Sequence, residues 1–166
     1  MKRAAFFILI LISFAGFCFG ADPVEGFWVS YDEKLGYPTA GWEIYTVNDK
    51  LFGKILSILL YPQDVKAEKC KDSYRDFPLS GKVSEMPVVG TPWIYNLTRD
   101  KHGVWSGGRI IDPETGNMYK CKITFRSASE NKYNVDMLIM RGEIGLGMGR
   151  NQYWFRATKE QASSLR

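Results

Sequence analysis

The residue types in this chain favour binding over catalysis. The only histidine, His102, lies in a predicted hairpin turn, and the chain cannot supply the several cysteine or histidine ligands that zinc sites usually need. It also has no Gly-x-Ser-x-Gly elbow and no P-loop. An enzyme would depend on carboxylates such as Glu43, Asp112, Asp136 and Glu143, of which Asp112 is better explained by its turn. We therefore expect no catalytic residue, no metal and no cofactor.

Large aromatic rings and arginines are the most informative side chains for function. Together they can line a pocket for a ligand with an apolar body and an acidic head, because rings give contact area and a guanidinium grips an acid with two hydrogen bonds. The alternative is that the rings fill the core and the arginines lie on the surface. The residues predicted for a ligand site are Trp42, Tyr45, Trp105, Arg109, Tyr119, Arg141, Arg150 and Trp154.

The first 20 residues have the pattern of a secretory signal peptide. Lys2 and Arg3 precede an apolar run over residues 4–19, and Cys18 and Gly20 place small residues where a signal peptidase reads them. The run is shorter than the roughly 20 residues that span a bilayer. We predict an exported protein, periplasmic or extracellular, that does not span the membrane and has one mature domain, residues 21–166.

Cleavage of the predicted signal peptide would also change the net charge of the protein. Removal of Lys2 and Arg3 lowers the formal net charge from +4 to near +2. A charge this weak and dispersed argues against a nucleic-acid partner.

Cys70 and Cys121 are the only cysteines after residue 20. An even pair in an oxidising compartment favours a disulfide, which would close about 50 residues and stabilise the fold by roughly 2–4 kcal/mol. Because Cys121 lies on the apolar face of a predicted strand, Cys70 reaches it only if its own segment tucks into one end of the fold. The alternative is two separate buried thiols.

Short runs of Val, Ile, Tyr, Trp and Phe, separated by Gly, Asn, Asp and Pro, predict a meander of strands. Asn48-Asp49 and residues 112–116 are the clearest turns. Tyr119, Cys121 and Ile123 alternate with lysines, which indicates one buried and one solvated face. The predicted strands cover residues 24–31, 39–48, 51–60, 92–98, 103–111, 117–126, 132–140 and 149–157.

Eight consecutive antiparallel strands would leave two long edges exposed unless the sheet closes. The predicted fold class is therefore all-β, an up-and-down antiparallel barrel of about eight strands, whose interior is filled by side chains or holds one small ligand. Residues 61–91 form a long insertion between strands three and four. Their apolar residues argue against disorder, and we expect them to fold over one end of the barrel.

Gly26-Phe27-Trp28 on the first strand resembles the Gly-x-Trp signature of lipocalin-like barrels. Arg156 on the last strand stands where those folds place a basic residue against the tryptophan. Since the first and last strands of a closed barrel are neighbours, the guanidinium can stack on the indole, a contact of about 0.5–2 kcal/mol. Gly26, Trp28 and Arg156 are accordingly predicted to be structural.

Most of the chain after residue 20 resembles an exported bacterial family of unknown function, DUF2147. The resemblance implies a lipocalin-like barrel in a bacterial envelope and carries no catalytic residues. The runs that support it are Gly26-Phe27-Trp28, residues 51–55, Trp105-Ser106-Gly107-Gly108, residues 111–116, Tyr119, Arg141-Gly142 and residues 149–154.

Three functional hypotheses follow from these patterns. The first is a non-enzymatic barrel that binds a small apolar or amphipathic ligand inside or at its mouth, gated by residues 61–91. The second is an envelope module with a filled barrel that docks a protein or glycan, with Trp93 and Tyr95 as contact residues. The third is a hydrolase or isomerase that uses interior carboxylates.

Overall fold

The computed structural model describes residues 21–145 and 148–165, so the predicted signal peptide lies outside the described residues. Eight antiparallel strands follow one another in chain order and close into a barrel. This confirms the predicted fold class. The strands are β1 (Gly26–Tyr31), β2 (Pro38–Val47), β3 (Lys50–Ile58), β4 (Pro92–Lys101), β5 (Val104–Asp112), β6 (Asn117–Arg126), β7 (Met137–Gly145) and β8 (Met148–Arg156), and one helix, α1 (Lys159–Ser163), follows them.

The turn chemistry accounts for the two-residue connection between β2 and β3 and for one misplaced boundary. Asn48 and Asp49 both have positive φ, as a two-residue hairpin requires. β7 begins at Met137, and the prediction that it begins at 132 is wrong. A 3-10 turn with a Ser127–Glu130 capping box precedes it, and the Asp136 carboxylate accepts a hydrogen bond from the Ala128 amide at 2.9 Å. Local side-chain bonds therefore compete with the strand there.

Closure depends on a short pairing between β1 and β8. Trp28 pairs with Arg156, Val29 with Phe155 and Ser30 with Trp154. The other neighbouring strands pair over longer stretches.

Alternation along the strands separates an inner from an outer face. Trp42 and Ile44 on β2 face inward, and a Cβ at Gly53 of β3 would meet the side chains of Ile44 and Ile94, so these share the interior. The buried core includes Trp28, Trp42, Ile44, Leu51, Ile94, Leu97, Ile123, Leu138 and Trp154.

The outer face of β1 to β3 is covered by α1. Thr158 caps this helix and accepts a hydrogen bond from the Gln161 amide. Ser57 on β3 donates to the carbonyl of Ala162 at 2.7 Å, and a Cβ at Gly41 would lie only 1.7 Å from that carbonyl oxygen. The close approach explains why β2 carries a glycine at this position.

Residues 59–91, between β3 and β4, pack against the outer face of β4. The Phe77 ring lies 6.2 Å from the Trp93 ring and 5.4 Å from the Tyr95 ring. Tyr74 donates a hydrogen bond to the carbonyl of Gly116, and Tyr61 donates to Glu114, each at 2.7 Å. These bonds attach the segment to the wall of the barrel and to the β5–β6 turn. The segment therefore packs on the outer face of β4 and reaches the β5–β6 turn at one end of the barrel, and a cover over that end stays a prediction.

Candidate functional site

The β1–β8 seam has the geometry predicted for Trp28 and Arg156. The guanidinium carbon lies 3.8 Å from the centre of the indole, and the Trp28 Nε1 donates to the carbonyl of Val24 at 2.9 Å. Arg156 also donates to the carbonyls of Glu25, at 2.7 Å, and Pro23. Burial lowers the pKa of the guanidinium. One half-buried arginine thus ties the strand before β1 to the barrel's closing strand.

Gly26 leaves space for this arginine. Its φ is +117°, a value that side-chain-bearing residues rarely adopt, and a Cβ there would lie 2.8 Å from Nη1 of Arg156. The glycine of the Gly-x-Trp signature is therefore explained by both backbone conformation and contact.

Two of the predicted ligand residues form an aromatic wall inside the barrel. Trp42 and Trp154 stack with ring centres 4.5 Å apart and planes 23° from parallel. Their indole N–H groups are both satisfied: Trp42 donates to Ser30 Oγ at 3.1 Å and Trp154 to Gln152 Oε1 at 3.3 Å. Ser30 and Gln152 belong to this site although neither was predicted, because small polar residues within apolar strands give no signal before the register is known.

Trp105 and Tyr119 also face inward. Trp105 pairs with Ile123 and is buried, and within the described residues its Nε1 has no hydrogen-bond partner. Tyr119 is partly exposed, and the missing side chain of Gly142 leaves space beside it, since a Cβ there would meet Tyr119 at 3.5 Å. Four of the eight predicted ligand residues therefore line the interior.

Three others point outward. Tyr45 stacks on Phe52 on the outer face, with the Lys54 ammonium 5.3 Å from its ring. Arg109 pairs with Lys120, and Arg141 bonds the Glu143 carboxylate at 2.6 Å. Because Tyr45, Arg109 and Arg141 each stand an odd number of residues from an inward neighbour, the two-residue period of a strand turns them out. The structure does not bring these three into an interior site.

Arg150, the eighth, lies at the rim end, the end of the barrel where β1 connects to β2 and β7 to β8. It faces the interior side, since it pairs with Gly142, and its Nε donates to Glu33 of the β1–β2 turn at 2.8 Å. Exposed apolar residues also lie at this end of the barrel: Leu35 between β1 and β2, Leu60 after β3, Ile144 near the end of β7 and Met148 at the start of β8.

On β7 and β8 the inward residues become more exposed towards this rim. Along β8, Trp154 is fully buried, Gln152 is partly exposed and Arg150 is exposed. Along β7, Met140 is buried, Gly142 is partly exposed and Ile144 is exposed. On β2 and β3, the inward residues Ala40 and Ile58 stay buried at the same end, so the rim is exposed on the β7–β8 side.

The pairing of β1 with β8 also stops short of the rim. Within the described residues, no pair joins the two strands beyond Ser30 and Trp154, so residues 148–153 of β8 pair with β7 alone. Beyond the last pair, the two sides are joined by side chains, as in the Arg150–Glu33 ion pair.

Two concavities of the described residues lie elsewhere. One, of about 300 Å³, runs between α1 and the outer faces of β1 and β8, beside Val29 and Phe155. The other, of about 410 Å³, lies at the opposite end of the barrel, beside His102 and Phe125. Neither is lined by the aromatic wall.

The candidate carboxylates are held by structural contacts. Glu43 bonds Lys54 at 2.8 Å on the outer face, and Glu143 bonds Arg141. Asp112 accepts from the Glu114 amide and from Thr115 within its turn. None of these faces another across the interior, as a two-carboxylate mechanism would need.

Cys70 and Cys121 are both free and buried, so the predicted disulfide between them is absent. Cys70 lies against Gly116, with its Cα 3.1 Å from where a Cβ would stand. Five residues of strand, about 16 Å at 3.3 Å each, separate Gly116 from Cys121. That exceeds the roughly 7 Å a disulfide can bridge between Cα atoms. Burial raises the pKa of both thiols.

Trp93 and Tyr95, proposed as docking residues, are fully buried under residues 59–91. The Trp93 Nε1 donates to the carbonyl of Val88 at 2.7 Å. Both rings stabilise the wall and are unavailable to a partner.

Comparison with known proteins agrees with this architecture. The profile of a family described as "Uncharacterized protein conserved in bacteria (DUF2147)" matches residues 26–156. No curated protein sequence matches significantly. The fold is similar to a solved structure described as "Protein HP1028 from the human pathogen Helicobacter pylori belongs to the lipocalin family", with TM-score 0.64 and 14% identity over 82% of this chain and 84% of that chain. Within the described residues, no helix is long and apolar enough to cross a membrane.

Proposed function

Because the chain belongs to the DUF2147 family of bacterial proteins and has a lipocalin-like barrel, we propose that it is an exported, non-enzymatic protein that binds a small amphipathic ligand at the rim end. The observation that carries this proposal is the graded exposure of the inward residues, from buried Trp154 through Gln152 to exposed Arg150. It supports a site that is apolar at its floor and basic at its mouth.

Each part of the proposed site has a distinct task. The aromatic wall of Trp42 and Trp154 forms the apolar inner end of the site, and Gln152 offers a polar group beside it. The body of the ligand would lie beside Tyr119, where Gly142 presents no side chain. Arg150 would grip an acidic head, since its guanidinium already bonds a carboxylate, that of Glu33.

Entry would require exchange of this ion pair. Arg150 and Glu33 are partly exposed, and such pairs contribute only about 0–1 kcal/mol. A ligand carboxylate or phosphate can therefore displace Glu33 at little cost. A long apolar tail would enter beside residues 148–153, where β8 has no backbone pairing with β1.

A fluorescence titration with a long-chain fatty acid tests this proposal. Wild-type protein should bind and quench the tryptophans, and Arg150→Gln should weaken binding about tenfold, the loss expected for one charge-assisted hydrogen bond. Arg75→Gln is the matched control, because Arg75 forms an exposed ion pair with Asp76 on residues 59–91. Equal affinity in the two variants would refute the role of Arg150.

A second function, docking of an envelope protein or glycan, is favoured by one observation. The middle of the barrel is filled, with Trp28, Trp154 and Leu138 fully buried. Its contact residues would be exposed rings such as Tyr133 and Tyr153. Loss of partner capture from envelope extract in a Tyr153→Ala variant that keeps fatty-acid affinity would support it.

Export is part of the first proposal and has its own test. Mass spectrometry of the amino terminus of protein expressed with its complete sequence should give a chain that begins at Ala21. An intact Met1 on protein recovered from the envelope would contradict it.

A further inference from the structure

We propose that the outer surface of β5 to β7 docks on an anionic phospholipid bilayer through a basic face made of Arg109, Lys120, Lys122 and Arg141. The four basic residues lie on the outer side of the sheet whose inner side carries the ligand site, and the surface meets the mouth of that site only at the rim, at Ile144 and Met148.

The register of the strands brings like charges together on this face. Arg109 on β5 lies directly opposite Lys120 on β6, and Lys122 on β6 lies directly opposite Arg141 on β7. Directly opposed Cβ atoms in an antiparallel pair are about 4.5–5.5 Å apart, and like charges at that distance destabilise a sheet. Two such pairs stand side by side.

Little on the protein neutralises this charge. Glu143 is the register partner of Lys120, yet its carboxylate bonds Arg141 at 2.6 Å. Within the described part of the chain, no carboxylate lies within ion-pair distance of Arg109, Lys120 or Lys122. Both lysines are exposed. The face therefore keeps a positive charge that suits an anionic partner.

An apolar tip continues from the same strands and indicates the kind of partner. Ile144 at the end of β7 is 69% exposed, and Met148 at the start of β8 is 57% exposed. Basic side chains beside exposed apolar ones match a bilayer, where anionic headgroups border on acyl chains. A soluble polyanion would use the charges and leave the apolar tip without a partner.

Vesicle flotation of the envelope-purified protein tests the proposal. We expect binding to vesicles of phosphatidylglycerol and phosphatidylcholine that Lys120→Gln/Lys122→Gln lowers about 30-fold, or about fivefold for each charge removed near an anionic surface. The control Lys101→Gln/Lys159→Gln removes two exposed charges at the opposite end of the barrel and on α1, and it should bind as wild type does.

A second variant tests the apolar tip. Ile144→Ser/Met148→Ser should lower vesicle binding about tenfold, because two exposed apolar side chains lose their burial in the membrane interface.

Three results would overturn the proposal: equal binding of wild type and Lys120→Gln/Lys122→Gln, equal binding to pure phosphatidylcholine vesicles, or binding to heparin with none to anionic vesicles. These outcomes are distinguishable from failure of the ligand site, since fatty-acid affinity in solution depends on Arg150 and not on either lysine.

Discussion

Replacement of Arg156 by alanine should destabilise the protein by about 2–4 kcal/mol. The variant loses a cation–π contact of about 0.5–2 kcal/mol with Trp28. It also loses charge-assisted hydrogen bonds to the carbonyls of Glu25 and Pro23, each of about 1.5–3 kcal/mol. These contributions are not additive and Arg156 is only half-buried, so the expected loss lies below their sum.

Equilibrium unfolding in urea, followed by tryptophan fluorescence, measures this loss. Arg126→Ala is the matched control, because Arg126 is exposed on β6, and a surface change there should stay within about 0.5 kcal/mol. Arg156→Lys should recover only part of the stability, since a single ammonium cannot stack and reach both carbonyls as a planar fork does. A loss below about 1 kcal/mol in Arg156→Ala would refute the argument that this residue holds the seam closed.

Three further predictions concern packing and titration. Gly41→Ala should cost about 1–3 kcal/mol in urea unfolding, because its Cβ would stand 1.7 Å from a carbonyl oxygen of α1. Gly142→Ala, where the nearest atom is 3.5 Å away, should cost less, and the reverse order would contradict the packing described. Cys70 and Cys121 should react with a thiol reagent only after denaturation and should then give two free thiols within residues 21–166, whereas a count of zero would show that they are bonded. Burial raises the pKa of Tyr95 to about 12, so the folded state binds its proton more tightly than the unfolded state. This contribution to stability is complete below pH 10 and is lost as the pH rises from about 10 to 12. A Tyr95→Phe variant should therefore show a shallower loss of stability over that range, and an unchanged slope would argue against the burial.

The barrel could be predicted from local signals, because turn residues and the alternation of apolar with polar residues along a strand are visible in short stretches of sequence. Asn48-Asp49 marked its hairpin. The Gly26, Trp28 and Arg156 positions indicated which strands meet at the seam through their resemblance to the Gly-x-Trp signature of lipocalin-like barrels and its basic partner.

Local signals could not show which of the predicted ligand residues point into the barrel and which point outward. The outer faces of β1 to β4 are covered by α1 and by residues 59–91, so these strands carry apolar residues on both sides. Tyr45 on β2 consequently gave no sign of pointing outward, and the side on which Arg109 of β5 lies follows only from its register with Lys120. The predicted disulfide was wrong for a related reason, since the distance from Cys70 to Cys121 depends on where residues 59–91 pack.

The measurement that tests the proposed function most directly is native mass spectrometry of the protein purified from a bacterial envelope under gentle conditions. We predict an adduct of a small amphipathic molecule that dissociates on activation and is depleted in Arg150→Gln. A protein that carries no adduct and takes up no fatty acid or lysophospholipid when these are added in excess would contradict the account.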